Sequence, residues 1–417
     1  MKKLTLFLLA CLCLVDLLNA QDQWRVYNSS NSDLPSGPLR SLAIDISGTK
    51  WIGTGLNGLA TFNGMNWNIY DTYNSGLPDD GVPAIAIEGS WLIWMANCNI
   101  YATGSGMTRY DGTTWTTYTT SNSGLPSDFV SSIAIDANGA KWIGTWTGGL
   151  AKFDDANWTS YNTSNSGMPN NWVFTIAIDQ NETKWIGTNG GGLVKFDGTN
   201  WTTFSISNSG IPSNVVTAIA FSGTITWIGT LNGGLAKFDG TTWTTYDPDN
   251  SGLPDEWVTA IAIDQSGILW IGTDNGGMAK FDGINWTVFN ASNSDMPTDV
   301  VTSINIDNNG SKWIGTYDGG LAVFNEDGVP SSTMENFTAE NNLIVSPNPA
   351  DDHITILCRE LNKNSVLSIF SLNGEKAMER HLRENETQID ISTLPAGVYL
   401  VKVQNENTSS VQKIVKE

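Results

Sequence analysis

The chain has 417 residues, with 42 Asp and Glu against 21 Lys and Arg, two His, and a formal net charge of −21. An acidic body of this kind repels phosphate backbones, which excludes nucleic acid as a partner class. Four Cys, of which Cys11 and Cys13 fall in the leader described next, exclude a disulfide framework as the source of stability.

Residues 1–20 read as a signal peptide: Lys2 and Lys3, an apolar run from Leu4 to Leu18 interrupted by Thr5 and Asp16, then Asn19-Ala20 at the cut. The run is short for a bilayer span, and no later segment approaches the ~20 apolar residues that a span needs. The mature protein is therefore expected outside the cytoplasm without a transmembrane segment. The same leader has a second reading as a lipoprotein signal, because Leu8-Leu9-Ala10-Cys11 resembles a lipobox; cleavage there would leave an apolar new N-terminus starting Cys11-Leu12-Cys13.

Residues 21–328 are dominated by an internal repeat. Trp51-Ile52-Gly53-Thr54 recurs at Trp142, Trp185, Trp227, Trp270 and Trp313, with a degenerate copy at Trp94, in steps of 43, 48, 43, 42, 43 and 43 residues. Each unit reads as four short strands; around Trp270 these are 258–263, 268–273, 278–281 and 285–289. Gly-Gly pairs such as Gly276-Gly277 turn the second strand into the third, and Asp-Gly pairs such as Asp282-Gly283 turn the third into the fourth, both favouring positive φ. One meander with apolar residues on both faces, such as Ile261-Ala262-Ile263, is not stable alone, and radial stacking buries both faces. The expected fold is therefore all-β, a seven-bladed β-propeller whose recurring tryptophans pack between blades. The fourth-strand tryptophan appears at Trp24, Trp67, Trp115, Trp158, Trp201, Trp243 and Trp286 but not after Trp313. Trp24-Arg25-Val26-Tyr27 is thus expected to complete the last blade and close the ring.

The repeat as it stands in Ser251-Gly252-Leu253-Pro254, Ile261-Ala262-Ile263-Asp264, Leu269-Trp270-Ile271-Gly272-Thr273 and Gly276-Gly277-Met278-Ala279-Lys280-Phe281-Asp282-Gly283 resembles the two-component regulator propeller repeat. That resemblance implies ligand sensing or binding on the periplasmic side of histidine kinases. No transmembrane helix or kinase domain follows here, so it does not extend to signalling by this chain.

Residues 329–342 read as a polar linker, and residues 343–417 as a second β domain. Its succession runs from Ser346-Pro347-Asn348-Pro349 through Leu394-Pro395-Ala396-Gly397-Val398-Tyr399 to Lys413-Ile414-Val415-Lys416-Glu417. It resembles the sorting domain of the type IX secretion system. The resemblance implies a small Ig-like β-sandwich, the secretion machinery as a partner of residues 343–417, and a secreted or outer-membrane surface location in a Gram-negative bacterium. The plain alternative is an accessory β-sandwich. His353 and His381, the chain's only histidines, are expected at its surface.

No His lies between Gln21 and Ala339 and the only thiol there is Cys98, which removes Ser–His and Cys–His nucleophiles and His-based lyase or metal sites. No catalytic or metal-ligating residues and no cofactor are therefore assigned, with Ca²⁺ in an acidic channel left open. Asp45, Asp136, Asp179, Asp264 and Asp307 follow the first strands, where Asp favours turns.

Function is sought where the copies differ. Just before the first strand they read Pro38, Gly81, Phe129, Trp172, Val215, Trp257 and Val300, and between the second and third strands Trp146, Leu231, Asp274, Tyr317 and Asp318 vary. The copy at Trp94 carries an insertion around Cys98 to Thr103. A rim of Phe129, Trp146, Trp172, Trp257 and Tyr317 with Asp274 and Asp318 suits a glycan or a surface protein: rings stack on sugar faces and carboxylates bond hydroxyls. The same aromatics also suit packing at the top of the inner strands. Two other classes remain: a glycoside hydrolase drawing two acids from Asp128, Asp255, Glu256, Asp274, Asp299 and Asp318, and a structural adhesin. A monomer is expected.

Overall fold

In the computed structural model the described residues are 22–89, 92–98, 104–329, 343–346, 350, 352–358, 365–371, 376–382, 386–404 and 409–416. The signal peptide, the insertion at 99–103, residues 330–342 of the linker and the Pro347-Asn348-Pro349 segment lie outside them, whereas Val329, expected to open the linker, is buried in the first unit. The chain divides into two compact units between Val329 and Pro330.

Among the described residues, the first unit holds seven four-stranded antiparallel sheets. We number these blades one to seven by their first strands, Leu39–Ile44, Ile85–Glu88, Val130–Ile135, Val173–Ile178, Val216–Ser222, Val258–Ile263 and Val301–Ile306. Each first strand touches those of the blades before and after it, and that of blade seven touches that of blade one, so the innermost strands form a closed ring. Blade seven takes its outer strand from the other end of the unit: Trp24–Tyr27 pairs antiparallel with Leu321–Phe324, Trp24 opposite Phe324 and Tyr27 opposite Leu321. The amides of Asn325 and Val329 donate to the carbonyls of Gln23 and Asp22 and extend that clasp.

Sequence and spacing explain each blade. Gly277 adopts φ 81°, and a Cβ there would lie 2.2 Å from the Phe289 carbonyl oxygen, so only glycine fits this turn. Gly272 serves a different purpose. A Cβ there would meet Val301 Cγ1 of the next blade at 2.5 Å, so the Gly of the Trp-Ile-Gly-Thr motif lets neighbouring blades approach at the axis. The 42-residue step has a local cause: blade five joins its first two strands through Gly223-Thr224, with Ser222 opposite Ile225.

Among the described residues, most of the motif tryptophans are held from two sides, Trp227 lacking the carboxylate and Trp51 the ammonium described next. A carboxylate six residues upstream accepts the indole N–H, as in Asp136 with Trp142 at 2.9 Å, Asp307 with Trp313 at 2.8 Å and Glu88 with Trp94 at 2.7 Å. Ammonium groups cover the rings. Lys50, Lys141, Lys184 and Lys312 each reach the tryptophan of the preceding blade, 4.1–4.9 Å from the ring centre, while Lys152, Lys195, Lys237 and Lys280 lie over their own blade's tryptophan. Every lysine of the propeller is thus engaged on a blade tryptophan, which leaves the carboxylates to dominate the surface.

The second unit packs a three-stranded sheet, Leu343–Ser346, His353–Cys358 and Glu386–Asp390, against a four-stranded one, Lys376–His381, Val366–Ser371, Gly397–Gln404 and Ser409–Lys416. Ile354, Ile356, Ile389, Leu367, Ile369, Val401 and Ile414 from both sheets share one buried core, the arrangement of a β-sandwich. His353 and His381 are exposed.

Candidate ligand-binding face

The mouth of the ring is built by one backbone device repeated in every blade. In six blades the residue just after the second strand donates its amide to the residue just before the first strand: Gly55 to Pro38, Trp146 to Phe129, Asn189 to Trp172, Leu231 to Val215, Asp274 to Trp257 and Tyr317 to Val300; in blade two Cys98, the last residue of the second strand, donates to Gly81. Each blade thereby presents two side chains at the mouth, and their identities are free to differ because the bond uses only backbone.

Blades three and four place three of the expected rim residues together. The rings of Phe129 and Trp146 stack at 5.6 Å and 12°, Trp146 meets Trp172 at 5.4 Å, and Trp172 meets Phe174 at 5.7 Å. All are part-exposed, although the Trp172 indole nitrogen itself is buried and has no hydrogen-bond partner among the described residues. Blades six and seven hold the rest: Trp257 is 38% exposed and Tyr317 43%, with no ring contact to the trio among the described residues. Asp318 is exposed beside Tyr317. The rim is therefore an aromatic shelf over two adjacent blades, with single aromatics elsewhere.

Most candidate acids are occupied by loop structure. Asp128 accepts the Thr120 amide at 2.7 Å and its hydroxyl at 3.0 Å, and Asp299 accepts the Ala291 amide at 2.7 Å. Asn171 and Asn214 do the same work in blades four and five, so this position needs an oxygen and not a charge. Asp255 holds the amides of Trp257 and Asn275. Asp274 differs: burial first, and then the neighbouring Asp255 charge, raise its carboxyl above the ordinary value, against a hydrogen bond from Asn275. Glu256 is exposed. Among the described residues no three His, Cys, Asp or Glu side chains converge as metal ligands. Cys98 is buried, and burial followed by the charge of Asp79 pushes its thiol up to about 11, which makes it an inert thiol.

Sequence reasoning missed Arg40. In six blades the second residue of the first strand sits in a β-bulge, where the register slips by one: Arg40, Ser131, Phe174, Thr217, Thr259 and Thr302. Ser131, Thr217 and Thr259 donate from this position to the carbonyls of Val173, Val258 and Val301 in the next blade. Arg40 instead lies over the Tyr317 ring, 5.3 Å from its centre. The available signal was that no other Lys or Arg occurs in any of the seven first strands.

Fold and mouth together define a β-propeller with a variable loop face, joined to a small β-sandwich. Residues 345–417 match the family described as the secretion system C-terminal sorting domain, and residues 252–275 match the two component regulator propeller. The sorting domain marks export through the type IX secretion system to the cell surface or beyond. Among curated proteins, karilysin of Tannerella forsythia is 33% identical over 98 residues, which cover 21% of this chain and 20% of karilysin. Among solved structures, the extracellular domain of a protein described as a hybrid two component system of B. thetaiotaomicron superposes with TM-score 0.62 at 21% identity, covering 95% of this chain and 58% of that one. PorZ, described as an essential surface component of the type IX secretion system of Porphyromonas gingivalis, gives 0.58 at 17% identity, covering 94% of this chain and 61% of PorZ. A streptogramin B lyase gives 0.60 at 13% identity, covering 72% of this chain and 97% of the lyase, so the fold also carries catalysis. At these identities the likeness is one of fold. The chain spans a fifth of karilysin and about three fifths of the first structure. Among the described residues no helix is long and apolar enough to cross a membrane.

Proposed function

We propose that this protein is a non-enzymatic glycan-binding propeller that works outside the cell, with the stacked shelf of Phe129, Trp146 and Trp172 as its principal contact surface. One observation carries the reading. Blades one, two and five fill the corresponding mouth positions with Pro38, Gly55, Gly81, Val215 and Leu231 and close in the same way, so the fold has no need of three clustered aromatics there. Part-exposed stacked rings offer a flat apolar face of the kind on which a pyranose face packs. Trp257 with Asp274, and Tyr317 with Asp318, supply secondary contacts along the rim.

A glycan array probed with the wild type and with Trp146→Ala tests this. The wild type is expected to bind a defined set of oligosaccharides, with the variant losing at least tenfold in affinity, about 1.4 kcal/mol. Unchanged binding in a Trp146→Ala, Trp172→Ala double variant would refute the shelf.

One observation favours a second reading, glycoside hydrolysis: burial and the charge of the neighbouring Asp255 raise the carboxyl of Asp274, as suits a proton donor. Asp255, however, spends both oxygens on backbone amides. Polysaccharide turnover abolished by Asp274→Asn would favour the hydrolase.

A further inference from the structure

The three arginines of the propeller have different surroundings. Arg25 lies in the outer strand Trp24–Tyr27, and Arg109 stands 3.7 Å from Asp111. Arg40 lies on the innermost ring of strands, and among the described residues its guanidinium makes no hydrogen bond and no ion pair. Its Nε is buried without a partner, its one described contact being the face of Tyr317 at 5.3 Å. In a unit whose residues 21–329 hold 29 carboxylates against 11 basic groups, an arginine without a carboxylate is placed for something other than charge neutralisation.

Its neighbours leave room for that. The mouth pair of its own blade is Pro38 and Gly55, the smallest apart from that of blade two, whereas blade three carries the bulky pair Phe129 and Trp146 there. Across the seam, the Thr302 hydroxyl on the corresponding bulge of blade seven is likewise buried and unpartnered, whereas its counterparts in blades three, five and six donate to the following blade. The closing seam between blades seven and one thus gathers a free guanidinium, a free hydroxyl and the part-exposed Tyr317 ring.

We propose that this seam is an anion subsite, in which Arg40, backed by Tyr317 and Thr302, takes the carboxylate of an acidic sugar. A planar guanidinium whose N–H groups are unused matches a carboxylate in two parallel hydrogen bonds, and stacking on an aromatic face holds its plane fixed. The subsite rests on the glycan reading above and deepens it, naming uronic-acid glycans as the ligand class.

The probes are uronate oligosaccharides, namely tetragalacturonate, an alginate tetramer and a hyaluronan tetramer, each titrated by calorimetry as the free acid and as its methyl ester. The ester keeps the shape and removes the charge. At least one acid is expected to bind the full-length mature protein tenfold or more tightly than its ester, and Arg40→Gln is expected to remove that difference while leaving the melting temperature and ester binding unchanged. Arg40→Lys, which keeps charge without the fork, is expected to recover only part of it. Equal binding of acids and esters, full acid binding by Arg40→Gln, or failure of every acid to bind overturns the subsite. Ester or neutral-glycan binding that still depends on Trp146 would leave the shelf standing while the subsite falls; no binding of any sugar would remove both.

Discussion

A chain lacking residues 22–28 is expected to melt on the order of 10 °C or more below the intact protein and to bind a synthetic peptide of those residues. Among the described residues, the strand Trp24–Tyr27 is the only one in the propeller supplied from a distant part of the chain. Its Trp24 ring lies 4.6 Å from Phe324 and 5.9 Å from Phe289, and Tyr27 stacks parallel to Trp313 at 6.3 Å while reaching Phe62 at 5.1 Å. Tyr27 therefore joins blade seven to blade one. Truncating one aromatic of this kind costs about 3–5 kcal/mol, so losing both costs at least about 6 kcal/mol. The backbone adds to this, because Leu321–Phe324 would become an open sheet edge with unpaired amides and carbonyls, a template for aggregation. The same edge makes the test specific. The peptide should raise the melting temperature of the truncated chain by strand addition and have no effect on the intact one. A truncated protein that melts where the full chain does would mean that the ring does not depend on this clasp.

How much of this was legible beforehand follows from where the information lies along the chain. The meanders were readable because turn chemistry and alternation are local: the strands expected at 258–263 and 278–281 appear as Val258–Ile263 and Met278–Phe281, and the positive φ expected at Gly283 is 98°. Closure was readable because one missing tryptophan had a single donor, Trp24. The Asp residues after the first strands were read as turn formers, and Asp264 does hold the Ser266 and Ile268 amides. Their second oxygen was not read, because the bond to a tryptophan six residues on exists only once the hairpin folds back. Blade five marks that rule by breaking it: Phe221 stands where the other blades carry a carboxylate, and the Trp227 indole N–H is left buried without a partner.

The candidate site was legible in one dimension only. The alternating positions at the mouth follow from the repeat, so Phe129, Trp146, Trp172, Trp257, Asp274, Tyr317 and Asp318 could be named. Which of them touch depends on contacts across the blade seam. Arg40 escaped for the same reason, since a residue inside a strand of a repeat reads as packing until its bulge turns it toward the neighbouring blade.

Asp136→Ala is expected to destabilise the propeller by about 3 kcal/mol at neutral pH. The carboxylate is 7% exposed; one oxygen accepts the amides of Asn138 and Ala140 at 3.0 Å each, and the other accepts the Trp142 indole N–H at 2.9 Å and stands 3.8 Å from Lys184 of the next blade. Removing it strands the buried Trp142 indole donor, which costs more than a lost surface pair, and takes one carboxylate from Lys184, whose ammonium keeps the Glu182 carbonyl at 2.7 Å and the Glu182 carboxylate at 3.7 Å. Acid should erase the difference. Burial alone would raise this carboxyl, but the hydrogen bonds from Trp142, Ala140 and Asn138 and the charge of Lys184 hold it below its ordinary value. A depressed folded-state value means that the stabilisation is complete above the ordinary Asp value, about 3.9, and is lost as pH falls below it through the folded value. Denaturation midpoints of wild type and variant should therefore converge as pH falls below about 4. Asp136→Asn separates the contributions, since it keeps an oxygen for the turn amides but sets N–H against N–H at Trp142; it should lie between the two proteins at neutral pH and show no titration of its own. A gap between wild type and Asp136→Ala that persists unchanged at pH 2 would assign the effect to lost packing and not to the carboxylate.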